Sequence, residues 1–203
     1  MTTKPKKRKI TLVPEKIKQR LYPAVLDQFT RNDFHQVNIR NISRASGVST
    51  GTIYKYFRSK EELILDILEE KIEELKQLTD FHLQGLDSTR EKFRKAFWVV
   101  MDYYERNPGL AITFFITVPT RTWMQRESYA RYDVHEMVSS IASVGRQRKE
   151  IDPMLDDAQI TGLFFMHCYR EVTIWYYRKM AWKLTDTIDI FFPLFWKTVS
   201  LCG

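Results

Sequence analysis

The chain has 203 residues, enough for one large domain or two small ones with a substantial core. Hydrophobic residues make up 44% and charged residues 28%, which is typical of a globular protein, and strand-like alternation is scarce. No uncharged apolar run reaches the roughly 18 residues that a transmembrane helix needs, so we expect no membrane partner.

Charge is distributed unevenly along the sequence. Residues 1–60 hold 14 Lys and Arg against 3 Asp and Glu, whereas residues 61–203 hold 18 against 22. A basic N-terminal module joined to an acidic body favours nucleic acid as the partner of that module.

The sequence shows no pattern that is typical of a metal site or a catalytic centre. The sequence has no phosphate-loop glycines and no nucleophile elbow, so we expect neither an enzyme nor a bound cofactor. Two cysteines make no disulfide framework and are expected to be reduced thiols in a cytoplasmic protein. Metal-ligand spacing is absent among His35, His82, His135, His167, Cys168 and Cys202.

The first 13 residues contain five basic side chains and no apolar periodicity. They form either a disordered solubilising tail or a basic N-terminal arm that adds phosphate contacts or enters the minor groove. We favour the arm because the segment adjoins the predicted DNA-binding module.

The first predicted helix runs from Glu15 to Thr30 and has one apolar side. Pro23 lies within it and removes one backbone hydrogen bond, so we expect a kink near residues 19–22 or a later start. At its end, Asn32 or Asp33 is expected to take the left-handed conformation that closes the turn.

Two short helices joined by a tight turn are predicted over residues 38–57. The side chain of Asn38 can cap the first helix, and Ile42 and Ala45 give it a narrow apolar face. Gly47 lies at the turn, where we expect a positive φ because glycine adopts it without a Cβ clash.

The second short helix has one apolar side and one small, polar and positive side. Ser49 is a suitable N-cap, and Ile53 and Phe57 turn towards the first helix. A helix of this kind fits the major groove of DNA, although a helical hairpin with a solvated face has the same composition. The polar side consists of Thr50, Gly51, Thr52, Tyr54, Lys55 and Tyr56.

The run from Asn38 to Leu63 resembles the helix-turn-helix of TetR-family transcriptional regulators. The resemblance implies an all-α protein with a basic arm at 1–13, an N-terminal three-helix DNA-binding domain at 14–74, and a larger helical domain for effector binding and dimerisation at 75–203. Beyond the first third of the chain, the likeness is one of length and helical character. The matching residues are Ile42, Ala45, Gly47, Val48, Ser49, Gly51, Thr52, Ile53, Tyr54, Tyr56, Phe57, Ser59, Lys60, Glu61, Glu62 and Leu63.

The resemblance also implies which residues meet double-stranded DNA. Thr50, Thr52 and Tyr54 are expected at or near the bases, where sequence is read. Lys60, in the first turn of the next helix, would point its cation at a phosphate, with a solvated lysine as the alternative. The full predicted set is Arg40, Arg44, Ser49, Thr50, Gly51, Thr52, Tyr54, Lys55, Tyr56 and Lys60.

A long helix is predicted from a capping box at Ser59 and Glu62 to a stop near Gly85. Residues 90–203 hold 21 of the 28 aromatic residues and are predicted to form further helices that end at Pro and Gly. Their predicted ranges are Thr89 to Asn107, Leu110 to Val118, Thr120 to Lys149, Asp156 to Leu184 and Thr185 to Leu201.

The last two predicted helices carry more apolar side chains than one antiparallel pair can cover. Two such pairs about a two-fold axis would form a four-helix homodimer interface, as is usual in the family, with recognition helices about 34–36 Å apart. A monomer core is the alternative. The residues concerned are Phe164, Ile174, Trp175, Tyr177, Ile188, Phe191, Phe192, Leu194, Phe195, Trp196 and Val199.

The family keeps a small-molecule effector pocket among its central helices. Bulky candidates here indicate an apolar, aromatic or amphipathic ligand, although each residue alone could belong to the core. His167, Arg170 and Glu171 need partners if buried: they could pair with one another, lie at the dimer seam or bind the ligand. The candidates are Trp98, Met101, Tyr104, Phe115, Trp123, Phe165, His167, Glu171 and Trp175.

We therefore expect a sequence-specific, homodimeric DNA-binding regulator, a repressor that binds a palindromic operator and is released by a small ligand. An architectural DNA-binding protein without an effector would instead bind with little sequence preference. A helical small-molecule-binding protein with an incidental basic end would keep its ligand after loss of residues 1–60.

Overall fold

A computed structural model describes residues 12–124 and 131–201, with residues 131–135 described by their backbone alone. Within these ranges every regular element is helical, which confirms the all-α prediction, and one isolated bridge joins Ile151 to Ser200. The α-helices are α1 (Glu15–Arg31), α2 (Ile39–Ser46), α3 (Thr50–Tyr56), α4 (Lys60–Leu83), α5 (Thr89–Arg106), α6 (Pro108–Ile112), α7 (Thr120–Trp123), α8 (Arg131–Gln147), α9 (Asp157–Tyr177) and α10 (Ile188–Val199).

Contacts divide the chain into two compact units, Met1–Ile64 and Leu65–Gly203, and the division falls within α4. The predicted domain boundary after residue 74 also falls within α4 and stays a prediction. The predicted basic arm lies outside the described residues except at its last two positions.

The first unit is a three-helix cluster around one apolar core, because each helix turns its aliphatic and aromatic side chains inward. Helices α1, α2 and α3 all contribute side chains with no solvent exposure. These include Leu21, Val25, Phe29, Ile42 and Ile53.

Helix α1 begins at Glu15 as predicted, with Pro23 on its exposed side, so the alternative of a later start is wrong. The expected left-handed turn is also wrong, because Asn32 is extended (φ −132°) and Asp33 is not among the described residues with positive φ. The Asn32 side-chain amide donates to the Gln28 carbonyl over 2.8 Å. A side-chain cap therefore ends this helix without a left-handed residue.

The second unit is built around Phe97 of α5. Its ring stacks on Phe164 of α9 with centroids 4.1 Å apart, and the rings of Phe191 and Phe195 of α10 stand edge-on, each at 4.9 Å. This aromatic cluster explains why α5, α9 and α10 pack together.

Three predicted helices of this unit have different bounds in the structure. The segment Leu110 to Val118 is α6 followed by a π-helical turn, Thr113–Thr117. The segment Thr120 to Lys149 holds two separate helices, α7 and α8. The last predicted helix, Thr185 to Leu201, is a 3-10 turn at Leu184–Thr187 followed by α10.

The predicted helix Asp156 to Leu184 is too long, because α9 ends at a corner that its sequence does not mark with glycine. Lys179 and Met180 both have φ of 57°. The Met180 amide donates to the Trp175 carbonyl, and Trp175 Nε1 donates to the Trp182 carbonyl, each over 2.8 Å. These bonds satisfy the helix end and hold two non-glycine residues in the left-handed region.

Most of the side chains predicted to form the dimer interface lie in the core of the second unit. Ile174 and Trp196 are half-buried, and only Tyr177 and Leu194 of that set are exposed. The seven buried side chains fit the alternative of a monomer core, and the rings of Phe164, Phe191 and Phe195 contact Phe97 of α5. The buried residues are Phe164, Trp175, Ile188, Phe191, Phe192, Phe195 and Val199.

Candidate nucleic-acid interface

The turn of the helix-turn-helix has the predicted geometry. The Asn38 side chain accepts from the Asn41 amide over 3.0 Å and caps α2. At the other end of α2, Gly47 has φ 65° and its amide donates to the Ser43 carbonyl over 2.9 Å. Val48 follows as a buried plug, so the chain turns directly into α3.

One residue of α2 faces the other way from its prediction. Ala45 is exposed, whereas Ile39, Ile42 and Ser46 are buried. The inward face of α2 therefore repeats at intervals of three and four residues from Ile39, and Ala45 lies beside it.

Helix α3 is capped and oriented by its first residues. Ser49 Oγ accepts from the Thr52 amide over 3.1 Å and lies 2.8 Å from Thr52 Oγ1. Ile53 is fully buried, which fixes the opposite side of the helix towards solvent. Tyr54, the next residue, is 55% exposed.

The other predicted α3 residues lie on or beside this solvent face. Gly51 and Lys55 are exposed, and Thr50, Thr52 and Tyr56 are half-buried. The Lys55 ammonium lies 5.5 Å from the centre of the Tyr56 ring, so the cation and the aromatic ring form one patch.

Positive charge flanks α3 without nearby acids. Arg40 and Arg44 are exposed and one turn apart on α2. No Asp or Glu occurs in the sequence between Asp33 and Glu61. The surface around α3 therefore offers cations and hydroxyl groups to an anionic partner.

The structure gives Lys60 contacts that the sequence did not predict. Its ammonium donates to the Phe34 carbonyl over 2.6 Å and to the Val37 carbonyl over 2.8 Å, and lies 4.8 Å from the centre of the Phe34 ring. These contacts tie the start of α4 to the segment between α1 and α2. Two of its three N–H donors are used by the protein, so a phosphate would meet at most the third.

The capping box at the start of α4 forms, with the Glu62 side chain bonded to the Arg58 amide. Ser59 Oγ accepts from the Glu62 amide over 3.1 Å, as predicted. The Glu62 carboxylate accepts from the Arg58 amide, one residue before the N-cap.

We expect Lys60→Met to destabilise the first unit by about 1.5–3 kcal/mol, because two carbonyls lose a charge-assisted hydrogen bond. Urea unfolding of the variant would measure this loss. Its DNA affinity, measured where both proteins are folded, should keep the wild-type salt dependence. A lower salt slope with unchanged stability would instead assign Lys60 to a phosphate.

The effector candidates do not converge on one place in the second unit. Phe115, Trp123 and Phe165 line a half-open cleft of about 180 Å³, and Tyr104 packs behind it with its ring 5.1 Å from Phe115. Trp98 lines a separate surface cleft with Arg94 and Lys95. The first cleft is completed by Phe114, Val118, Thr120, Met166 and Tyr169.

The remaining candidates are engaged within the fold. Met101 and Trp175 are buried. His167 Nδ1 lies 2.7 Å from the Leu163 carbonyl and its ring packs against Phe97, so it lies within the aromatic core. Because a carbonyl only accepts, the imidazole nitrogen is the donor.

Glu171 and Arg170 pair with each other, which was one of the alternatives that the sequence left open. The Glu171 carboxylate is buried and accepts from the exposed Arg170 guanidinium. Burying a carboxylate without such a partner would be costly.

Burial makes two groups near the aromatic core harder to ionise. It raises the pKa of the Cys168 thiol far above its ordinary value, with the nearby Glu171 adding to the rise. It likewise raises the pKa of the Tyr104 hydroxyl. Both groups stay protonated at neutral pH, so Cys168 lacks the thiolate that a nucleophile needs.

Two features are absent from the residues that the structure describes. Among them, no group of three or more His, Cys, Asp or Glu side chains is placed to hold a metal ion. None of their helices is long and apolar enough to cross a membrane.

Sequence reasoning missed Met166 and Tyr169, which line the cleft from the exposed face of α9. The signal was available for Tyr169, which lies four residues after Phe165 and three after Met166, and positions three or four apart share one side of a helix.

Comparison with known proteins gives a consistent result. The profile of the bacterial regulatory proteins of the tetR family matches residues 24–67. The chain is 28% identical over 69 residues to the fatty acid metabolism regulator protein of Bacillus subtilis, covering 34% of this chain and 36% of that one. It is 25% identical over 150 residues to the HTH-type transcriptional repressor NicS of Pseudomonas putida, covering 74% and 66%. The alignment thus spans about a third of the Bacillus subtilis protein.

Solved structures share the fold over nearly the whole chain. The fatty acid degradation regulator FadR of Bacillus halodurans superposes with a TM-score of 0.82 at 18% identity, covering 91% of this chain and 97% of that one. FadR of Bacillus subtilis in complex with stearoyl-CoA gives 0.79 at 20% identity, covering 87% and 96%. The matched profile, the curated regulators and the shared fold confirm the resemblance seen between Asn38 and Leu63: residues 24–67 match the tetR family of bacterial regulatory proteins, and 91% of the chain shares the fold of a solved FadR regulator.

Proposed function

We propose that this protein is a dimeric repressor that binds a palindromic operator and leaves it when a small molecule binds the second unit. The observation that carries the proposal is the solvent face of α3. It is capped, small and uncharged at its start, exposed at Tyr54 and Lys55, and lies in a stretch without acids.

The proposed role of each residue in DNA binding follows from its chemistry and its position on α2 or α3. Thr50, Thr52 and Tyr54 carry hydroxyl groups on the first turns of α3, where they would reach base edges in the major groove. Arg40 and Arg44 would bind phosphates from α2, which positions the protein without reading sequence. Ser49, Gly51, Lys55 and Tyr56 complete the proposed interface, and Lys60 supports it from behind by tying the start of α4 to the Phe34 and Val37 carbonyls.

Dimerisation is supported by apolar side chains that the second unit leaves exposed on its last two helices. On α9 they follow one another at intervals of three, seven and one residues, and at 3.6 residues per turn all four positions lie in one stripe on one side of the helix. Two stripes of this kind on each copy would meet about a two-fold axis as a four-helix interface. The exposed residues are Met166, Tyr169, Tyr176, Tyr177, Ile190 and Leu194.

An apolar or amphipathic effector is supported by the cleft beside Phe115, Trp123 and Phe165. Its volume of about 180 Å³ is smaller than the roughly 300–1,000 Å³ of pockets that hold drug-sized ligands. The ligand would therefore bind best to a conformation with a wider cleft. Such a difference in affinity between two states is what release from DNA requires.

The relatives suggest the chemical class to test first. A structure of Bacillus subtilis FadR contains stearoyl-CoA. We propose a long acyl chain as the candidate ligand here, with the hydroxyl groups of Thr120 and Tyr169 as polar contacts at the cleft.

The test of DNA binding compares the upstream intergenic DNA of the protein's own gene with random DNA of equal length. We expect a preference of at least ~1000-fold at about 150 mM salt, with two molecules per site. Equal and tight binding to both would favour an architectural DNA-binding protein. Absence of binding to either, in protein shown to be free of co-purified ligand, would contradict the proposal.

Phe115→Trp should yield a protein that binds its operator normally and is released only at a higher ligand concentration, because the larger ring fills part of the cleft. We expect release by a long-chain acyl-CoA to need at least ~10-fold more ligand, as a loss of about 1.4 kcal/mol in affinity implies. Fluorescence anisotropy of labelled operator DNA would measure it. Release at the wild-type concentration would place the ligand elsewhere.

A further inference from the structure

Arg20 of α1 reaches across the first unit to the turn of the helix-turn-helix. Its Nη2 donates to the Gly47 carbonyl over 2.9 Å, although the two residues are 27 positions apart. A Cβ atom placed on Gly47 would lie 2.5 Å from the same nitrogen. The guanidinium therefore lies directly against the bare glycine backbone.

This contact lies where the direction of α3 is set. Gly47 is the left-handed residue that ends α2, and Ser49, two positions on, is the N-cap of α3. Between them, the Val48 amide donates to Ser46 Oγ over 3.2 Å. A change in the Gly47 peptide would therefore be transmitted to the first turn of α3.

Arginine suits this place better than lysine. The guanidinium is flat and carries its donors in a fixed fork, so it can lie on a glycine and still reach the carbonyl. Its charge also faces the C-terminal end of α2, where the helix dipole favours a cation.

We propose that Arg20 is a positioning residue for sequence recognition: it fixes the turn so that Thr50, Thr52 and Tyr54 meet their bases together. This inference rests on the proposed function of α3 as the recognition helix. Base contacts depend on the exact placement of α3, whereas phosphate contacts tolerate small shifts, so loss of the clamp should affect specific binding more than non-specific binding.

Two simpler roles for Arg20 predict different results. As a phosphate ligand, it would be replaced well by lysine, and its loss would weaken binding to all DNA and reduce the salt slope by about 0.9. As a purely stabilising contact, its loss would lower the unfolding midpoint and leave the affinities of the folded protein unchanged.

The experiment compares the wild-type protein with Arg20→Lys, Arg20→Gln and the control Arg31→Gln. Arg31 is an exposed arginine on the same helix, paired with Asp27 over 2.6 Å, so its loss removes the same charge away from the turn. Each protein is titrated with operator and random DNA over a range of salt concentrations, at a temperature where all are folded.

We expect both Arg20 variants to lose operator affinity by about tenfold or more, the effect of one misplaced base contact. Arg20→Lys should keep its affinity for random DNA within about twofold, because its charge is retained. Arg31→Gln should keep the preference for operator. Wild-type operator affinity in Arg20→Lys would overturn the proposal.

A second measurement does not depend on DNA binding. In the free protein, Arg20→Gln should increase amide hydrogen exchange over Gly47–Ile53 and leave α9 unchanged, because a less constrained turn opens more often. Unchanged exchange there would overturn the positioning role. A wild-type protein that prefers no DNA sequence would instead overturn the proposed function.

Discussion

Gly51→Glu will abolish operator binding and leave the fold intact. Gly51 is exposed in the first turn of α3, and the nearest atom to a Cβ placed there is Ser49 Oγ at 4.0 Å. The added side chain therefore meets open space in the free protein. An acid in the first turn also favours the helix, by about 0.3–1 kcal/mol.

On DNA the same side chain places a negative charge and added bulk against the groove. We expect operator affinity to fall at least ~100-fold, the loss of one or two base contacts with added repulsion from phosphates. Fluorescence anisotropy would measure affinity, and circular dichroism would show that the unfolding midpoint is not lowered.

Gly51→Ala is the matched control. It gains about 0.8–1 kcal/mol of helix propensity and adds no charge, so it should be at least as stable as the wild type. A small loss of its affinity would indicate close approach of DNA to the glycine backbone. Wild-type affinity in Gly51→Glu would contradict the assignment of α3 to the groove.

The caps and the turn of the helix-turn-helix could be predicted because their geometry is set by local chemistry. The side chains of Asn38, Ser49 and Ser59 each accept a hydrogen bond from the amide three residues on. Gly47 takes the left-handed conformation that ends α2. Each of these interactions lies within one turn of a helix, so a short stretch of sequence specifies it.

Predictions failed where distant parts of the chain decide the structure. The end of α9 depends on Trp175 and Trp182, seven residues apart, and has no glycine or proline to mark it. Lys60 shows the same dependence: its place in a helix predicts an anion, a role that stays a prediction, whereas the carbonyls that accept its hydrogen bonds belong to Phe34 and Val37, more than 20 residues earlier. Neither partner could be identified from spacing.

The aromatic residues of α9 and α10 show a related limit. Both helices are apolar on more than one side, so periodicity does not tell which side meets the core and which stays exposed. Phe164 and Phe195 pack around Phe97, whereas Tyr177 and Leu194, on the same two helices, remain exposed. The packing of both helices against Phe97 of α5 separates the two groups.

Because some apolar residues of α10 are exposed and others are buried, the dimer can be tested without disturbing the core. The test is the double variant Ile190→Glu, Leu194→Glu. These residues are 75% and 63% exposed and lie one turn apart on α10, so the monomer core does not depend on them. They also lie outside the cleft, which Met166 and Tyr169 line from the exposed face of α9. The double variant therefore tests dimerisation separately from ligand binding.

We expect the double variant to be folded and monomeric. Its dimer dissociation constant should rise at least ~100-fold, because an Ile or Leu side chain buried in the interface contributes about 1.5–3 kcal/mol. Operator affinity should fall with it, since one recognition helix reads only one half-site. Sedimentation velocity would measure the mass, and anisotropy the affinity.

Phe81→Glu provides the control, because Phe81 is 67% exposed on α4 and receives the same charge away from α9 and α10. It should remain dimeric and bind the operator normally. If Phe81→Glu dissociates and the double variant does not, the interface includes α4. If the wild-type protein is itself a monomer that binds the operator tightly, two half-sites are not required, and the exposed stripes on α9 and α10 serve another partner.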